Sequence, residues 1–230
     1  SPSPNAAGWN NSDVTVNFSC EDTGPVQSGI LTNTLTNGSV TADSPFAGTT
    51  VSNGGACTDA ATNNAQPGSA IVKLDKTPPT ASIGSSPPAS TPSPNASFTF
   101  SGTDVPSGIA SFECSLDTPG FSPCSGPASY SNLAVGDHLF RVRSIDTAGN
   151  VSSLPVSWAW TILGPPTITK GFEDASIPAG GSNTVTLTLS NPNAVDLTGA
   201  TFSDTLVGMT AVGGPVSGTC VGITPSSIVV

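Results

Sequence analysis

The stretch VTVNFSCEDTGPVQSGI, residues 14–30, decides the fold. Val14, Val16, Phe18 and Cys20 alternate with Thr15, Asn17 and Ser19. A period of two with one apolar face is the pattern of a half-buried antiparallel strand. The strand runs into Asp22 and then into Ser28-Gly29-Ile30, a turn composition. The same arrangement returns in ASFTFSGTDVPSGI, residues 96–109. There Ala96, Phe98 and Phe100 hold one face, and Asp104 and Ser107-Gly108-Ile109 follow. Each stretch has a later companion: ACTDAATNN (56–64) for the first, and RSIDTAGNV (143–151), which continues the alternating HLFRVRSID, for the second. The chain therefore carries two variants of one repeat.

Superposing the two repeats says something about cysteine. Matching Asp22 to Asp104 sets Cys20 opposite Gly102, and matching Asp59 to Asp146 sets Cys57 opposite Ser144. Both cysteines are thus replaced together, as expected of a bonded, inward-facing pair. The second repeat has its own pair, Cys114 and Cys124, in FECSLDTPGFSPC. Their spacing around Asp-Thr-Pro-Gly suits a bridge across a hairpin-like turn. In the loop-entropy model the two bridges contribute roughly 4 and 3 kcal/mol. Cys220 is left over and is expected to be unpaired or to bond another chain.

A third unit follows, with Val185, Leu187 and Leu189 alternating in NTVTLTLSN (183–191). Proline pairs mark the joints, in KLDKTPPTASI (73–83) and TILGPPTITK (161–170). Paired prolines stiffen a linker and remove amide donors. The expected organisation is all-β, three tandem immunoglobulin-like β-sandwiches strung like beads. The units are 1–76, with its first strand apparently missing, 77–163, and 164–230, incomplete at its C-terminal end.

Composition agrees with strands and turns. The 230 residues contain 25 Gly and 22 Pro, and only 9 % are charged. No apolar stripe has helical spacing. The net charge is −10 with five Lys and Arg in total, which argues against nucleic acid and anionic membrane surfaces as partners. No stretch approaches the roughly 20 apolar residues of a membrane-spanning helix. The cysteine usage favours an oxidising compartment, and without a CxxC motif a zinc reading is weak.

The first two units resemble bacterial immunoglobulin-like repeats of large secreted and cell-surface proteins. The residues that carry this are GWNNSDVTVNFSCEDTGPVQSGI, CTDAATNN and DKTPPT in the first unit, and FECSLDTPGFSPC, LAVGDHLFRVRSIDTAGN and WAWTI in the second. PTITKGFEDASIPAGGSNTVTLTLSNPNAVDLTGATFSDTL resembles another surface-protein repeat, a β-sandwich often strung in tandem. The resemblance implies an extracellular or cell-surface structural protein, a stalk or spacer without enzymatic activity. Its partners would be neighbouring copies or the rest of a longer chain. Both ends read as cut inside a domain, which a fragment of a longer chain explains most simply. Two other functions fit the same residues. One is a filament subunit assembled by β-strand complementation through edges near Val14 and Val229. The other is an accessory binding module of a secreted enzyme.

Individual residues add little chemistry. His138 is the only histidine and falls at the start of a strand, with no G-x-S-x-G nucleophile motif in the chain. Glu21–Asp22 and Glu173–Asp174 are adjacent, so in extended chain they diverge. No cofactor is expected. Calcium is the one metal with support, from Asp22, Asp59, Asp104 and Asp146 at loop positions and Asp75 at a joint. Turn formation by the same side chains is the stronger reading. Trp158 and Trp160 share a strand face, where core packing outweighs a carbohydrate platform, and Trp9 lies far off in sequence. Asn37-Gly38-Ser39 and Asn95-Ala96-Ser97 match glycosylation acceptors by coincidence, and Lys170 offers a cross-linking amine with no supporting motif.

Overall fold

Alternating Thr, Val and Phe residues build the protein from strands alone. The computed structural model describes residues 2–23, 26–178 and 180–196, which contain sixteen strands and no helix. Cys220 and Val229 lie outside the described residues, and with them the expectations placed on Cys220 and the C-terminal edge. Ser1–Gly164 forms one compact unit and Pro165–Val230 another. The first of these contains two separate hydrophobic cores.

The smaller core belongs to β1 (Val14–Val16), β2 (Ile30–Asn33), β3 (Gly38–Val40), β4 (Thr49–Ser52), β5 (Cys57–Asp59) and β6 (Ser69–Val72). They pair antiparallel as β1 with β3, β2 with β5 and β4 with β6. Val14, Val40, Val51, Val72 and Leu74 are its buried residues, with Val16 and Phe18 packed against them. Its buried residues are all aliphatic, and Trp9, buried beside Phe46, lies outside this cluster. Cys20 and Cys57 are bonded here, closing a separation of 37 residues.

The larger core is a two-layer sandwich. It continues with β7 (Thr80–Ser85), β8 (Ser90–Thr91), β9 (Ala96–Thr103), β10 (Ile109–Leu116), β11 (Ser122–Cys124), β12 (Ala128–Tyr130), β13 (Gly136–Asp146) and β14 (Val156–Ile162). One sheet runs β12-β9-β7 and the other β11-β10-β13-β14-β8. Phe98 of β9 stacks on Phe140 of β13 with ring centroids 4.0 Å apart, which joins the layers. Both rings are completely buried, and Trp160 and Tyr130 close around them. Cys114 and Cys124 are bonded across the β10–β11 pair.

Register makes the two cores copies of one plan. Thr49 faces Val72 across β4–β6, and Gly136 faces Ile162 across β13–β14. Counting from these pairs, β4 and β5 together correspond to β13. Where the first copy has Cys57, the second has Ser144, whose Oγ lies 2.7 Å from Ser152 Oγ. A buried serine, hydrogen-bonded to a second hydroxyl, thus stands where the first copy has the Cys57 sulfur. In the unit that begins at Pro165, β15 (Thr167–Phe172) pairs antiparallel with β16 (Val185–Ser190).

The small core should depend more on its bridge than the large one. Replacing Cys20 and Cys57 by Ser is expected to destabilise the first copy by about 4 kcal/mol. The same change at Cys114 and Cys124 is expected to cost about 3 kcal/mol, leaving the copy folded around Phe98 and Phe140. Urea unfolding of the two variants checks this ordering, and a larger loss at Cys114–Cys124 would contradict it.

Candidate cation site at the first joint

Three carboxylates meet where the two copies join. Asp104 follows β9 and shapes a turn: its Oδ2 accepts the Gly108 N–H at 2.9 Å and the Ser107 hydroxyl at 3.2 Å. Gly108 has φ of +79°, in the left-handed region that glycine occupies without strain. Asp146 ends β13, and its Oδ1 accepts the N–H groups of Gly149 at 2.7 Å and Asn150 at 2.8 Å. Its Oδ2 accepts the Asn150 side-chain amide at 2.8 Å.

Asp75 arrives from the linker. Its carboxylate accepts the Ser107 N–H at 3.1 Å and the Thr77 N–H at 3.0 Å. Its backbone carbonyl accepts the Asn150 amide at 2.8 Å. One oxygen from each of Asp75, Asp104 and Asp146 lies within 4.8 Å of the others.

Burial makes this proximity consequential. Asp75 is 0 % exposed and Asp146 2 %. Asp104 is half-buried, and its Oδ1 is enclosed with no hydrogen-bond donor. Burial, with the Asp75 and Asp146 charges, pushes the Asp104 carboxyl above the usual carboxylate range. The Gly108 and Ser107 hydrogen bonds pull the other way and are outweighed. Like charges this close need a proton or a hard cation between them. Three carboxylates are a partial set for calcium, which takes roughly six to eight oxygens.

The four aspartates singled out in the sequence therefore divide. Asp104 and Asp146 converge, and Asp75 completes the cluster. Asp22 and Asp59 occupy the matching places in the first copy, where no third carboxylate joins them among the described residues. Asp22 accepts the Gly29 N–H, and Asp59 is held below the usual carboxylate range by the Asn63 amide and N–H. Sequence reasoning noted Asp75 without seeing that it would meet the other two. The available signal was its place ahead of the proline pair, in the linker that enters the second copy.

The remaining candidates have structural surroundings. His138 is buried in β13, with Nδ1 2.7 Å from Asp117 Oδ2 and Nε2 2.9 Å from the Ala134 carbonyl. Neither ring nitrogen faces a serine hydroxyl. Burial, the largest influence, favours the neutral ring; the Ala134 carbonyl and the Asp117 carboxylate together outweigh it, so the pKa is raised. Trp9 and Trp160 are buried and Trp158 is packed against the larger core. Lys170 sits in β15, with its ammonium 5.3 Å from the Phe172 ring centroid.

No family model matches the chain, and no curated protein matches it. Among solved structures it is similar to the fibronectin(III)-like modules of CbhA from Clostridium thermocellum, at 14 % identity and a TM-score of 0.36. The match covers 70 % of this chain and 91 % of that one. The β-sandwich assignment rests on the sheets described above rather than on this likeness.

Two measurements probe these sites. Excess calcium is expected to raise the melting temperature of the wild type and to leave Asp104→Asn nearly unmoved. In chelator Asp104→Asn should be the more stable protein, because one of three crowded charges is gone. A wild type that melts identically with calcium and chelator would mean that protons alone balance the cluster. At His138 the raised pKa means that the stabilisation by the protonated ring is present below the unfolded-state pKa. It is lost as pH rises through the folded-state value. Between about pH 6 and pH 8 the wild type should therefore lose more stability than His138→Gln.

Proposed function

We propose that this chain is a stalk or spacer segment of an extracellular bacterial structural protein. The observation that carries the reading is the joint around Asp75. The residue donates its N–H to the Asn10 carbonyl of the first copy at 2.9 Å. It is held from the second copy by Ser107 and Asn150. Leu74, directly before it, is completely buried in the first core. Asn5 adds a hydrogen bond to the Thr147 carbonyl at 2.8 Å. A linker clamped from both sides fixes the direction of one sandwich relative to the next, which a spacer needs and a flexible tether lacks.

Other features agree with this role. The two disulfides suit an oxidising exterior. An acidic surface with few cations keeps extended chains apart in solution. The tryptophans are spent on packing, so they offer no open aromatic platform of the kind a sugar-binding module would use. His138 is occupied by Asp117 and Ala134, which supports a non-catalytic role.

The test is the stiffness of the joint. Spin labels at the exposed positions Thr62 and Ser131 report the distance between the two copies by pulsed resonance. A narrow distribution is expected for the wild type and a broad one for Asp75→Ala, which leaves the Ser107 N–H without its acceptor. A broad wild-type distribution would refute the spacer reading.

A further inference from the structure

Five hydrogen bonds that shape the Asp75 cradle in the second copy recur in the first, while those from the Ser107 hydroxyl to Asp104 and from the Gly149 N–H to the Asp146 Oδ1 belong, among the described residues, to the second alone. Gly108 N–H to Asp104 becomes Gly29 N–H to Asp22, at 2.9 and 2.8 Å. Ala148 N–H to the Ser107 hydroxyl becomes Ala61 N–H to Ser28, at 3.3 and 3.2 Å. Thr147 N–H to the Gly108 carbonyl becomes Ala60 N–H to Gly29, both at 2.8 Å. Asn150 grips Asp146 through its N–H and amide, and Asn63 grips Asp59 in the same way. The left-handed residue matches too: Gly149 at φ +97° and Thr62 at +69°. A non-glycine residue held at positive φ shows how strongly the surrounding bonds determine this loop.

The two cradles differ in what they hold. In the second copy Asp75 fills the cradle, and Ser107 and Ala148 are buried, at 6 % and 4 % exposure. In the first copy Ser28, Ala61 and Asn63 are exposed. Asn63, with Asp22 and Asp59, lines an open cavity of about 170 Å³. The Ser28 N–H corresponds to the donor that binds the Asp75 carboxylate. The second Asn63 amide hydrogen corresponds to the donor that binds the Asp75 carbonyl. Among the described residues neither meets a protein acceptor.

We propose that Asp22, Ser28, Gly29 and the turn Asp59–Asn63 form a docking site for the aspartate-bearing linker of another immunoglobulin-like unit. The incoming segment has the chemistry of Leu74-Asp75-Lys76: an apolar residue, a carboxylate and extended backbone ahead of prolines. Its carboxylate takes the Ser28 N–H and its carbonyl takes the Asn63 amide. The occupant is a unit of the same design, because the one filled cradle in this protein holds such a segment. As in the filled cradle, the third carboxylate raises the local negative charge, so docking is expected to strengthen with calcium. The proposal extends the spacer reading by giving the first copy an acceptor end.

A tethered probe tests it on the whole chain. The octapeptide VKLDKTPP is fused ahead of the chain through a Gly/Ser tether of about 30 residues, which spans roughly 30 Å. Such a tether places the peptide at an effective concentration near the millimolar range. In calcium, hydrogen exchange at the Ser28 amide is expected to slow about tenfold, and the Asn63 side-chain amide resonances should shift. Both effects should vanish with asparagine in place of the appended aspartate, and the slowing at Ser28 should also vanish in the Asn63→Ala variant. Equal Ser28 exchange in the extended and unextended chains overturns the docking site. The spacer reading is judged separately, by the label distance across the Asp75 joint in the unextended chain.

Discussion

A carboxylate with no exposure to water constrains the first 164 residues more than any other feature. Burying the Asp75 charge is costly unless each of its oxygens is satisfied. The fold satisfies them by bringing the Ser107 and Thr77 N–H groups to the carboxylate and the Asn150 amide to the carbonyl. The turns at Asp104 and Asp146 present the Ser107 and Asn150 donors. Separating the copies would strand these groups, so the penalty for breaking the joint falls on both sides.

The two cores solve one problem in different ways. The second copy joins its sheets with Phe98 on Phe140 and a surrounding shell of Trp160 and Tyr130. The first has valines and one leucine, and its two-stranded pairings are short. Less buried apolar surface means less stabilisation, and the Cys20–Cys57 bridge, closing the longer loop, makes up part of the difference. Lys76 adds a tie at the surface, with its ammonium 2.7 Å from Asp13. Both partners of that ion pair are exposed, so its contribution is small.

Much of this was legible in the sequence, because strands announce themselves by alternation. Ala96, Phe98 and Phe100 and the run 138–146 read directly as strands, and the paired replacement of Cys20 and Cys57 marked residues that face each other. The division of one strand into β4 and β5 was not legible. It occurs at Asn53-Gly54-Gly55, where Gly55 has φ of +80° and a Cβ would stand 1.9 Å from the Thr34 carbonyl oxygen. That crowding depends on a neighbour far along the chain. The meeting of Asp75 with Asp104 and Asp146 was hidden for the same reason: it requires residues 29 and 71 positions apart to converge, which no local pattern encodes. The repeat did carry the two loop aspartates, and only the linker residue needed the structure.

The account's central claim is that Asp75 makes two sandwiches into one body. Backbone nitrogen-15 relaxation, read amide by amide across residues 5–164, tests it most directly. A single anisotropic rotational diffusion tensor that fits the strands of both copies is the predicted result. Separate tensors for the strands before Asp75 and those after it would contradict the account.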